Sequence, residues 1–393
     1  MFQKVISFFI ITVFLSATSS PAQDSVIVKS NNRFAFDLFA KLGKEEGNMV
    51  ISPFSISSAL AMTYAGARTV TETEMQKVLH FGNQEVFHSG YKPVLEKIRN
   101  LNLQEGIEIN AANAVWAEKN YRFRSEYFDL LKENYNSGLR FVSFGKKTEK
   151  SRKTINAWVE KETNKHIAEL LEPGTVDKST TLVLTNAVYF NAVWAKRFDP
   201  EKTKKDKFFV TEKETIEVDF MNRSDNYFYY ENKVMQSLEI PYPGNKVSMI
   251  VIVPKTNASA ERVATLLNND LYEEIITGAK ENKIDVHLPK FEIISEFSLE
   301  ATLAEMGMPS AFNSEADFSG MTGNKGLFID KVIHKAFLHV SEEGTEAAAA
   351  TAVVMRKNAI IPKKFEVNRP FVYLIKDNTT GSILFIGKVN RPV

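Results

Sequence analysis

The side chains that most often carry out catalysis or bind metals are scattered along this 393-residue chain. Its six histidines are His80, His88, His166, His287, His334 and His339. No two of them have the spacing that places two metal ligands on one helix face, and the absence of cysteine excludes a thiol nucleophile, a thiolate metal site and disulfides. The sequence also lacks the local motifs of serine hydrolases, zinc proteases, and phosphate- or dinucleotide-binding loops. A catalytic triad can be built from distant residues, but without a local signature we expect no enzyme, no cofactor and no metal.

One segment, residues 342–361, has an unusual composition: small residues come first, and Met355, Arg356 and Lys357 follow. Helix propensity alone predicts an alanine-rich surface helix or linker here. Read with the period of a β-strand, the same residues separate into two faces. One face carries Thr345, Ala347, Ala349, Thr351 and Val353, and the opposite face carries Glu346, Ala348, Ala350 and Ala352. Such a strand could enter the middle of an existing sheet, because its inward side chains are small and its one charge faces solvent.

Apolar residues recur with helical spacing in four segments of the first half of the chain. We predict helices over residues 31–44, 54–67, 71–79 and 151–171. The second begins beside Pro53, where a missing N–H is tolerated. Thr71 and Glu74 have the spacing of a capping box for the third helix, and the pair Pro173–Gly174 is expected to end the fourth.

Runs of β-branched and aromatic residues predict strands over residues 107–117, 181–193 and 247–253. Two more runs, 371–375 and 382–389, flank the turn-like residues 377–381 and predict a C-terminal hairpin. Since helices come mainly early and strands mainly late, the pattern indicates an α+β fold.

The N-terminus has the three parts of a secretory signal peptide. Lys4 precedes an apolar run over residues 5–15, and small and polar residues follow as far as Ala22. The run is shorter than the roughly 20 apolar residues that span a bilayer, and an uncleaved anchor is the alternative. We predict that residues 1–22 are a signal segment, with cleavage after Ala22, and that the protein is secreted into the extracellular space.

The remaining residues, 23–393, contain no low-complexity linker and no repeat, so we expect a single domain. Without Lys4 the chain has 48 basic residues (49 less one) and 48 acidic residues. This balance gives no electrostatic reason to expect nucleic acid or a membrane as a partner.

Five blocks of the sequence, in order along the chain, resemble the serpin family. They are residues 48–62, which continue into Gly66 and Ala67 and resemble its helix-B region; 184–190 with Trp194 and Phe198, which resemble strand 3A; 330–336, which resemble strand 5A; 365–371, which resemble the signature after the reactive loop; and 385–389, which resemble the C-terminal strand. The resemblance covers nearly all of the mature chain. It implies the serpin fold, with three β-sheets including a large central sheet A, about eight to nine helices, and an exposed reactive-centre loop within residues 342–361.

The resemblance also implies a function. Serpins display the loop as bait for a serine protease, form an acyl-enzyme, and insert the cleaved loop into sheet A, which traps the protease in a covalent one-to-one complex. The hinge of this loop would be Glu342, Glu343, Gly344, Thr345, Glu346, Ala347, Ala348, Ala349 and Ala350. It contains neither a bulky residue nor a proline. This favours an inhibitory monomer with serine proteases, and secondarily cysteine proteases, as partners over a non-inhibitory carrier or chaperone.

By the same resemblance, particular residues match the moving parts of the family's sheet A. Ser55, Ser58, Asn186 and His334 match the shutter, where strands 3A and 5A part, and Trp194 matches the breach, where insertion starts. The simpler interpretation is that the polar groups are merely buried and hydrogen-bonded and that the tryptophan is a core residue. Both interpretations can hold at once.

The cleaved bond follows from counting along the loop. By the resemblance, the specificity residue follows the hinge glycine by about fifteen residues, which leads to the neighbourhood of Asn358 and a scissile bond between Asn358 and Ala359. A shift of one or two residues leads to Lys357 or Arg356, either of which fits a specificity pocket with a buried carboxylate. We favour trypsin-like targets, with an Asn-directed or broader target set as the open alternative.

Two basic runs could bind a sulfated glycan: Lys146, Lys147, Lys150, Arg152 and Lys153, and Lys202, Lys204, Lys205 and Lys207. Acidic residues interleave both runs, so a solvated surface is the favoured interpretation. Three N-x-Ser/Thr sequons begin at Asn222, Asn257 and Asn378 and matter where the source organism glycosylates.

Overall fold

The computed structural model describes residues 21–135, 138–255, 259–344 and 362–392, with side chains from residue 26 onward. In these ranges the α-helices are α1 (Pro21–Leu42), α2 (Pro53–Tyr64), α3 (Thr69–Leu79), α4 (Gln84–Arg99), α5 (Ser125–Tyr135), α6 (Phe144–Glu162), α7 (Ala260–Leu266), α8 (Asn269–Gly278), α9 (Glu300–Met306) and α10 (Ser319–Thr322). Short 3₁₀ helices span Asn100–Leu103, Pro200–Lys202, Pro243–Asn245 and Pro309–Phe312. The strands are β1 (Met49–Ile51), β2 (Ile107–Glu118), β3 (Leu139–Val142), β4 (Leu182–Ala192), β5 (Lys204–Phe209), β6 (Thr215–Glu231), β7 (Met235–Pro241), β8 (Val247–Pro254), β9 (Lys280–Pro289), β10 (Phe291–Ser298), β11 (Lys331–Val340), β12 (Lys363–Glu366), β13 (Phe371–Asp377) and β14 (Ile383–Val389).

The first sheet has five strands in the order β10-β11-β4-β2-β3. Strands β4 and β11 lie side by side and parallel, and we call the boundary between them the seam. Strand β2 pairs antiparallel with β4 on the other side, and β10 pairs antiparallel with β11. Because β4 is central, its side chains are buried on both faces.

The seam is covered on both faces of the sheet. On the inner face Leu184, Val188 and Phe190 belong to the main core, which lies between this sheet, α2 and the second sheet. On the outer face Val183 and Ala187 pack in a smaller second core that includes apolar side chains of α6. Successive residues of β4 therefore alternate between two cores, with the period of a strand.

The second sheet has nine strands, in the order β1-β14-β13-β8-β7-β6-β9-β12 with β5 paired to β6. Strand β6 is 17 residues long; its first part pairs with β5 and its last part pairs with β7. The two halves of this sheet correspond to the second and third sheets implied by the family resemblance, and they share β6. The predicted C-terminal hairpin is confirmed as the antiparallel pair of β13 and β14.

The fourth predicted helix is wrong at both ends. Helix α6 begins at Phe144, before the predicted start, and ends at Glu162. Asn164 and Lys165 have φ angles of +48° and +67°, a left-handed conformation that cannot continue a right-handed helix.

The residues after α6, 163–171, cross the outer face of the first sheet, and we call them the α6 strap. The ring of His166 stacks on Tyr189 of β4 with 3.6 Å between ring centroids. Tyr189 in turn stacks on Phe337 across the seam at 5.5 Å. Lys335 of β11 donates from Nζ to the carbonyl oxygen of Glu169 at 2.9 Å. The strap is therefore fastened to both strands of the seam.

The predicted capping box of α3 is also wrong. The N-cap residue of this helix is Arg68, and no side chain caps it. Thr71 is buried, and its hydroxyl accepts the backbone N–H of Asp317, while Glu74 accepts that of Ser310. These two side chains hold the loop that precedes α10 instead of their own helix. Helices α1 and α2 overlap the predicted segments, although α1 starts well before residue 31.

Residues 1–20, which hold most of the predicted signal segment, lie outside the described residues. Helix α1 runs through the predicted cleavage point after Ala22. Within the part of the chain that is described, no helix is long and apolar enough to cross a membrane.

Candidate functional site

The middle of the seam contains a buried hydrogen-bonded set of four side chains, which we call the shutter cluster: Ser55, Asn113, Asn186 and His334. His334 of β11 and Asn186 of β4 are register partners across the seam, and the ring Nδ1–H donates to Asn186 Oδ1. The Asn186 amide donates to Ser55 Oγ at 2.8 Å and to Asn113 Oδ1 at 2.6 Å. Ser55 Oγ also donates to Asn113 Oδ1 at 2.8 Å. Strands β2, β4 and β11 are thereby linked to helix α2.

The neutral state of His334 follows from its two partners. The backbone N–H of Ser52 donates to Nε2 at 3.2 Å, so Nε2 is unprotonated and Nδ1 carries the hydrogen donated to Asn186. Protonation of Nε2 would set two N–H groups against each other. Burial lowers the pKa of His334 to about 3.

The structure brings together three of the four shutter residues named from the sequence. Ser58 stands apart, because its hydroxyl donates to the Phe54 carbonyl one helical turn earlier and lies 2.9 Å from the Tyr91 hydroxyl. Asn113, which completes the cluster, was missed. Its sequence signal is an asparagine in the middle of a strand, where that residue type is disfavoured unless a partner satisfies it.

Two buried histidines predict a loss of stability in acid. Burial lowers the pKa of His88 to about 4 and that of His334 to about 3, from an ordinary value of 6.5. Between pH 6.5 and 4 the unfolded state binds more protons than the folded state. The free energy of unfolding therefore decreases as the pH is lowered, by about 1.4 kcal/mol per pH unit for each histidine. Denaturant unfolding should therefore show about 4 kcal/mol less stability at pH 5.0 than at pH 7.5.

Single variants show how much of the acid-dependent loss of stability each histidine contributes. His88→Gln and His334→Gln should each remove about half of the pH-dependent loss. His80→Gln serves as the control for the substitution itself, because the His80 ring is partly exposed and pairs with Asp37. The variants at the two buried positions should reduce the pH-dependent loss more than this control does. Equal stability at the two pH values would contradict the assignment.

The top of the seam, which the family resemblance names the breach, is built around Trp194. Its indole Nε1 donates to the Ser341 carbonyl at 2.9 Å, and its backbone N–H donates to the Glu343 carbonyl at 2.9 Å. The Trp194 ring stacks on Tyr242 at 4.8 Å. Phe198 donates its backbone N–H to the carbonyl of Glu342 at 2.9 Å. The residues that follow β11 are therefore hydrogen-bonded to the residues that follow β4.

The Glu342 side chain fastens the start of the hinge. Its carboxylate accepts the Thr203 hydroxyl at 2.8 Å and pairs with Lys290 Nζ at 3.0 Å. Partial burial opposes ionisation, but hydrogen bonds from Thr203, its own backbone and Lys290 leave the pKa of Glu342 lowered. Movement of the hinge away from this position must break both contacts.

Gly344 is the last described hinge residue, and its φ of +98° favours glycine. A Cβ atom there would lie 2.3 Å from the backbone nitrogen of Trp194 and 2.4 Å from the carbonyl oxygen of Ala192, so a larger residue does not fit. The remaining hinge residues Thr345, Glu346, Ala347, Ala348, Ala349 and Ala350, and the candidate cleavage residues Arg356, Lys357, Asn358 and Ala359, lie outside the described residues.

The surface features named from the sequence are only partly available to ligands. In the first basic run Arg152 is buried and pairs with Glu149 at 2.7 Å and Glu169 at 2.8 Å, whereas the lysines of both runs are exposed. The described ranges contain no group of three or more His, Asp or Glu side chains that could hold a metal ion.

Two of the three sequon asparagines already use their amides inside the fold. Asn222 donates to the carbonyls of Lys202 and Phe220, and Asn378 donates to the Asn245 carbonyl and to Ser248 Oγ. Asn257 lies outside the described residues. A glycan on Asn222 or Asn378 would have to displace these bonds.

Comparison with known proteins identifies the family. The family profile described as Serpin (serine protease inhibitor) matches residues 29–392. Serpin B3 of Homo sapiens is 37% identical over 385 residues, covering 93% of this chain and 99% of its own. The leukocyte elastase inhibitor of Bos taurus is 38% identical over 374 residues, covering 92% and 98%. The solved structure of human thyroxine-binding globulin has a TM-score of 0.85 at 28% identity, covering 94% of this chain and 100% of that one. The chain therefore belongs to the serpin family of serine protease inhibitors.

Proposed function

We propose that this protein inhibits serine proteases as a suicide substrate, one protease per molecule, by inserting its cleaved loop into the seam. The observation that carries the proposal is the position of the hinge, which is already docked at the top of the seam on the chain that leaves β4. A segment that turns back at Gly344 runs antiparallel to both β4 and β11, so it can form a ladder with each of them.

The position of Gly344 supports a specific register for the inserted strand. Gly344 lies against the backbone of Val193 and its neighbours. One-for-one counting along antiparallel strands then pairs Thr345 with the last residue of β4 and Met355 with its first. Residues 345–355 would fill the seam from end to end. Cleavage after residue 356, 357 or 358 would leave the attached protease at the far end of the sheet.

On the inner face, this register places small residues where the core leaves little room. Thr345, Ala347, Ala349, Thr351 and Val353 would all enter the main core between the even-numbered residues of β4 and β11. The parting of two packed strands leaves space for small side chains before larger ones. The composition of residues 345–353 matches that requirement.

On the outer face, the same register explains the alanines. Ala348 would lie beside Tyr189 and Phe337 under the α6 strap, and Ala350 would lie beside Lys335. Glu346 would lie beside the partly exposed Asn191. The charged residue therefore falls at a position that solvent reaches, and the covered positions receive alanine.

The shutter cluster gains a role in this proposal. Thr351 would arrive level with His334 and Asn186, whose hydrogen bond must break as β4 and β11 part. A threonine hydroxyl both donates and accepts, so it can satisfy the groups that the broken bond leaves. The cluster would hold the seam closed before cleavage and accept the inserted strand afterwards.

The targets are proposed to be trypsin-like. Arg356 and Lys357 precede Asn358 in the part of the loop that lies just beyond the inserted residues, and a basic side chain suits a pocket with a buried carboxylate. Secretion is also proposed, because Lys4, the apolar residues 5–15 and the small residues before Gln23 have the pattern of a signal peptide.

Incubation of the chain with trypsin, an elastase and papain tests the trap. We expect one equivalent of trypsin to form a complex that survives SDS, with release of a C-terminal peptide that begins at residue 357, 358 or 359. Mass spectrometry of that peptide identifies the cleaved bond. Cleavage by trypsin without an SDS-stable complex would overturn the trypsin assignment, and the same result with all three enzymes would overturn the trap.

The likeness to human thyroxine-binding globulin favours a second candidate, a non-inhibitory carrier. Thermal melting before and after loop cleavage separates the two functions. Insertion would add two ladders and bury residues 345–355, so the melting temperature of a trap should rise by more than about 10 °C after cleavage. An unchanged melting temperature would favour the carrier.

A further inference from the structure

An exposed aromatic patch lies at the edge of the first sheet, separated from the seam by β4 and β2. It consists of Phe123, Phe128 and Phe141, and we call it the β3 edge patch. Phe141 is 45% exposed, and its ring lies 5.5 Å from that of Phe123 and 6.1 Å from that of Phe128. The other two rings are partly buried against the main core. One exposed ring supported by two partly buried rings gives an apolar surface on which another chain can pack.

The patch lies beside an unpaired strand edge. Strand β3 is the last in the order of its sheet, and within the described ranges it pairs only with β2. A strand edge without a neighbour presents free backbone N–H and C=O groups, to which an extended segment of another chain can add.

The two faces of β3 differ in chemistry. Phe141 joins the aromatic patch on the face that packs against the main core. Arg140 projects to the opposite face, where its guanidinium lies 4.4 Å from the Trp158 ring centroid and 5.6 Å from that of Trp116. An added strand would meet an aromatic surface on one face and a cation on the other.

The chain around β3 is also basic, although the protein as a whole is nearly neutral. Residues 118–147 carry seven basic and four acidic side chains, and the acidic residue next to β3, Glu118, is buried and accepts the backbone N–H of Gly145. Lys119 donates its backbone N–H to the last residue of β3, which places it beside the patch. Among the described residues neither Arg122 nor Arg140 has an acidic partner, and Arg124 pairs with Glu126 at 3.3 Å. These charges favour an acidic ligand over a basic one.

The opposite edge of the same sheet offers a contrast. Strand β10 exposes Ile294 by 60%, yet Glu292 and Glu296 flank it along the strand. Both edges thus expose an apolar side chain, but the side chains beside Ile294 are acidic, with Glu296 paired to Lys335 at 2.7 Å and Glu292 lying 3.1 Å from His339. The β10 edge is a matched control for any ligand chosen by its charge.

We propose that the free edge of β3 binds an extended acidic segment of another protein, in which acidic side chains alternate with aromatic or large aliphatic ones. The added strand would direct its apolar residues to Phe141 and its carboxylates to Arg140, because side chains alternate along a strand. This site is separate from the seam, so binding of the segment would not require cleavage of the loop.

A labelled peptide tests the proposal. The probe is fluorescein-Glu-Phe-Glu-Ile-Glu-Phe-Glu-Ile, titrated with the full chain and followed by fluorescence anisotropy. We expect saturable binding that weakens with added salt. Phe141→Ser and Arg140→Glu should each weaken it by about tenfold or more, and Ile294→Ser on β10 should leave it unchanged. The peptide Glu-Glu-Glu-Glu-Phe-Phe-Ile-Ile has the same composition without the alternation and should bind about tenfold more weakly.

Several outcomes would overturn the proposal: no binding of the alternating peptide, equal binding of the two peptides, or equal affinity for the parent and Phe141→Ser chains. Sedimentation of the chain alone tests one more such outcome. If the chain self-associates and Phe141→Ser abolishes the self-association, the patch binds a second copy of the chain and not an acidic segment. Melting of each variant shows whether it is folded. Complex formation with trypsin should be unchanged in all of them, so failure of this proposal is distinguishable from failure of the trap.

Discussion

Replacement of Thr345 by arginine is expected to convert the protein from an inhibitor into a substrate that the protease cleaves and leaves. In the proposed register, residue 345 enters the main core beside Ala192 and Val340, each 1% exposed. An arginine at that position would bury a charge without a partner, which costs several kcal/mol. Insertion should slow by more than about 100-fold, and the acyl-enzyme would then hydrolyse first. The measurement is the number of inhibitor molecules consumed for each trypsin molecule inhibited.

The matched control is Glu346→Arg, one residue further along the loop. It introduces the same side chain on the opposite face of the inserted strand, level with the partly exposed Asn191. We expect this variant to form SDS-stable complexes at nearly the parent ratio. Inhibition by both variants would refute the register, and failure of both would show that charge in the hinge, and not burial, decides the outcome.

Replacement of Asn186 by alanine is expected to destabilise the uncleaved protein by about 3 kcal/mol. Asn186 is 1% exposed and holds the centre of the shutter cluster, where it accepts from His334 and donates to Ser55 and Asn113. Its removal leaves the buried Nδ1–H of His334 without a partner, and such a group retains its full desolvation penalty. Ser55 and Asn113 each lose one hydrogen bond but remain bonded to each other. Denaturant unfolding at pH 7.5 measures the difference.

Asn191→Ala on the same strand is the control for this prediction. Asn191 is partly exposed on the outer face, so the same substitution should change stability by less than about 0.5 kcal/mol. The rate of spontaneous loop insertion on warming should rise in Asn186→Ala alone, because the bond across the seam is missing. Similar stability losses in the two variants would contradict the role given to the shutter cluster.

Of the two strands of the seam, β4 could be predicted from its own residues, because its β-branched and aromatic side chains are typical of a strand. Strand β11 was identified only through the family resemblance of residues 330–336. The boundaries of α6 could not be predicted in the same way. Asn164 and Lys165 adopt left-handed angles that few non-glycine residues take, and nothing in their side chains signals it. Thr71 and Glu74 were misassigned because their partners lie 246 and 236 positions away.

The candidate site shows the same difference between features that a local pattern predicts and contacts that depend on distant residues. His334 and Asn186 were identified through the family resemblance, yet their contact depends on a parallel register that joins positions 148 apart. The contacts of Glu342 with Thr203 and Lys290 depend on three separate elements meeting at the breach. Local pattern reports the period and burial of a strand, whereas polar contacts between distant strands follow only from the assembled sheets.

The positions of the three tryptophans give the protein its own optical signal for each stage of insertion. Trp194 stacks on Tyr242 at the hinge, whereas Trp158 of α6 contacts Trp116 of β2, with 5.4 Å between ring centroids. Departure of the hinge would change the emission of the first indole, and displacement of the helix would change that of the other two. Because the chain has no cysteine, a single introduced thiol can carry an acceptor dye at a unique position. Energy transfer in a stopped-flow trace would then time the two events separately.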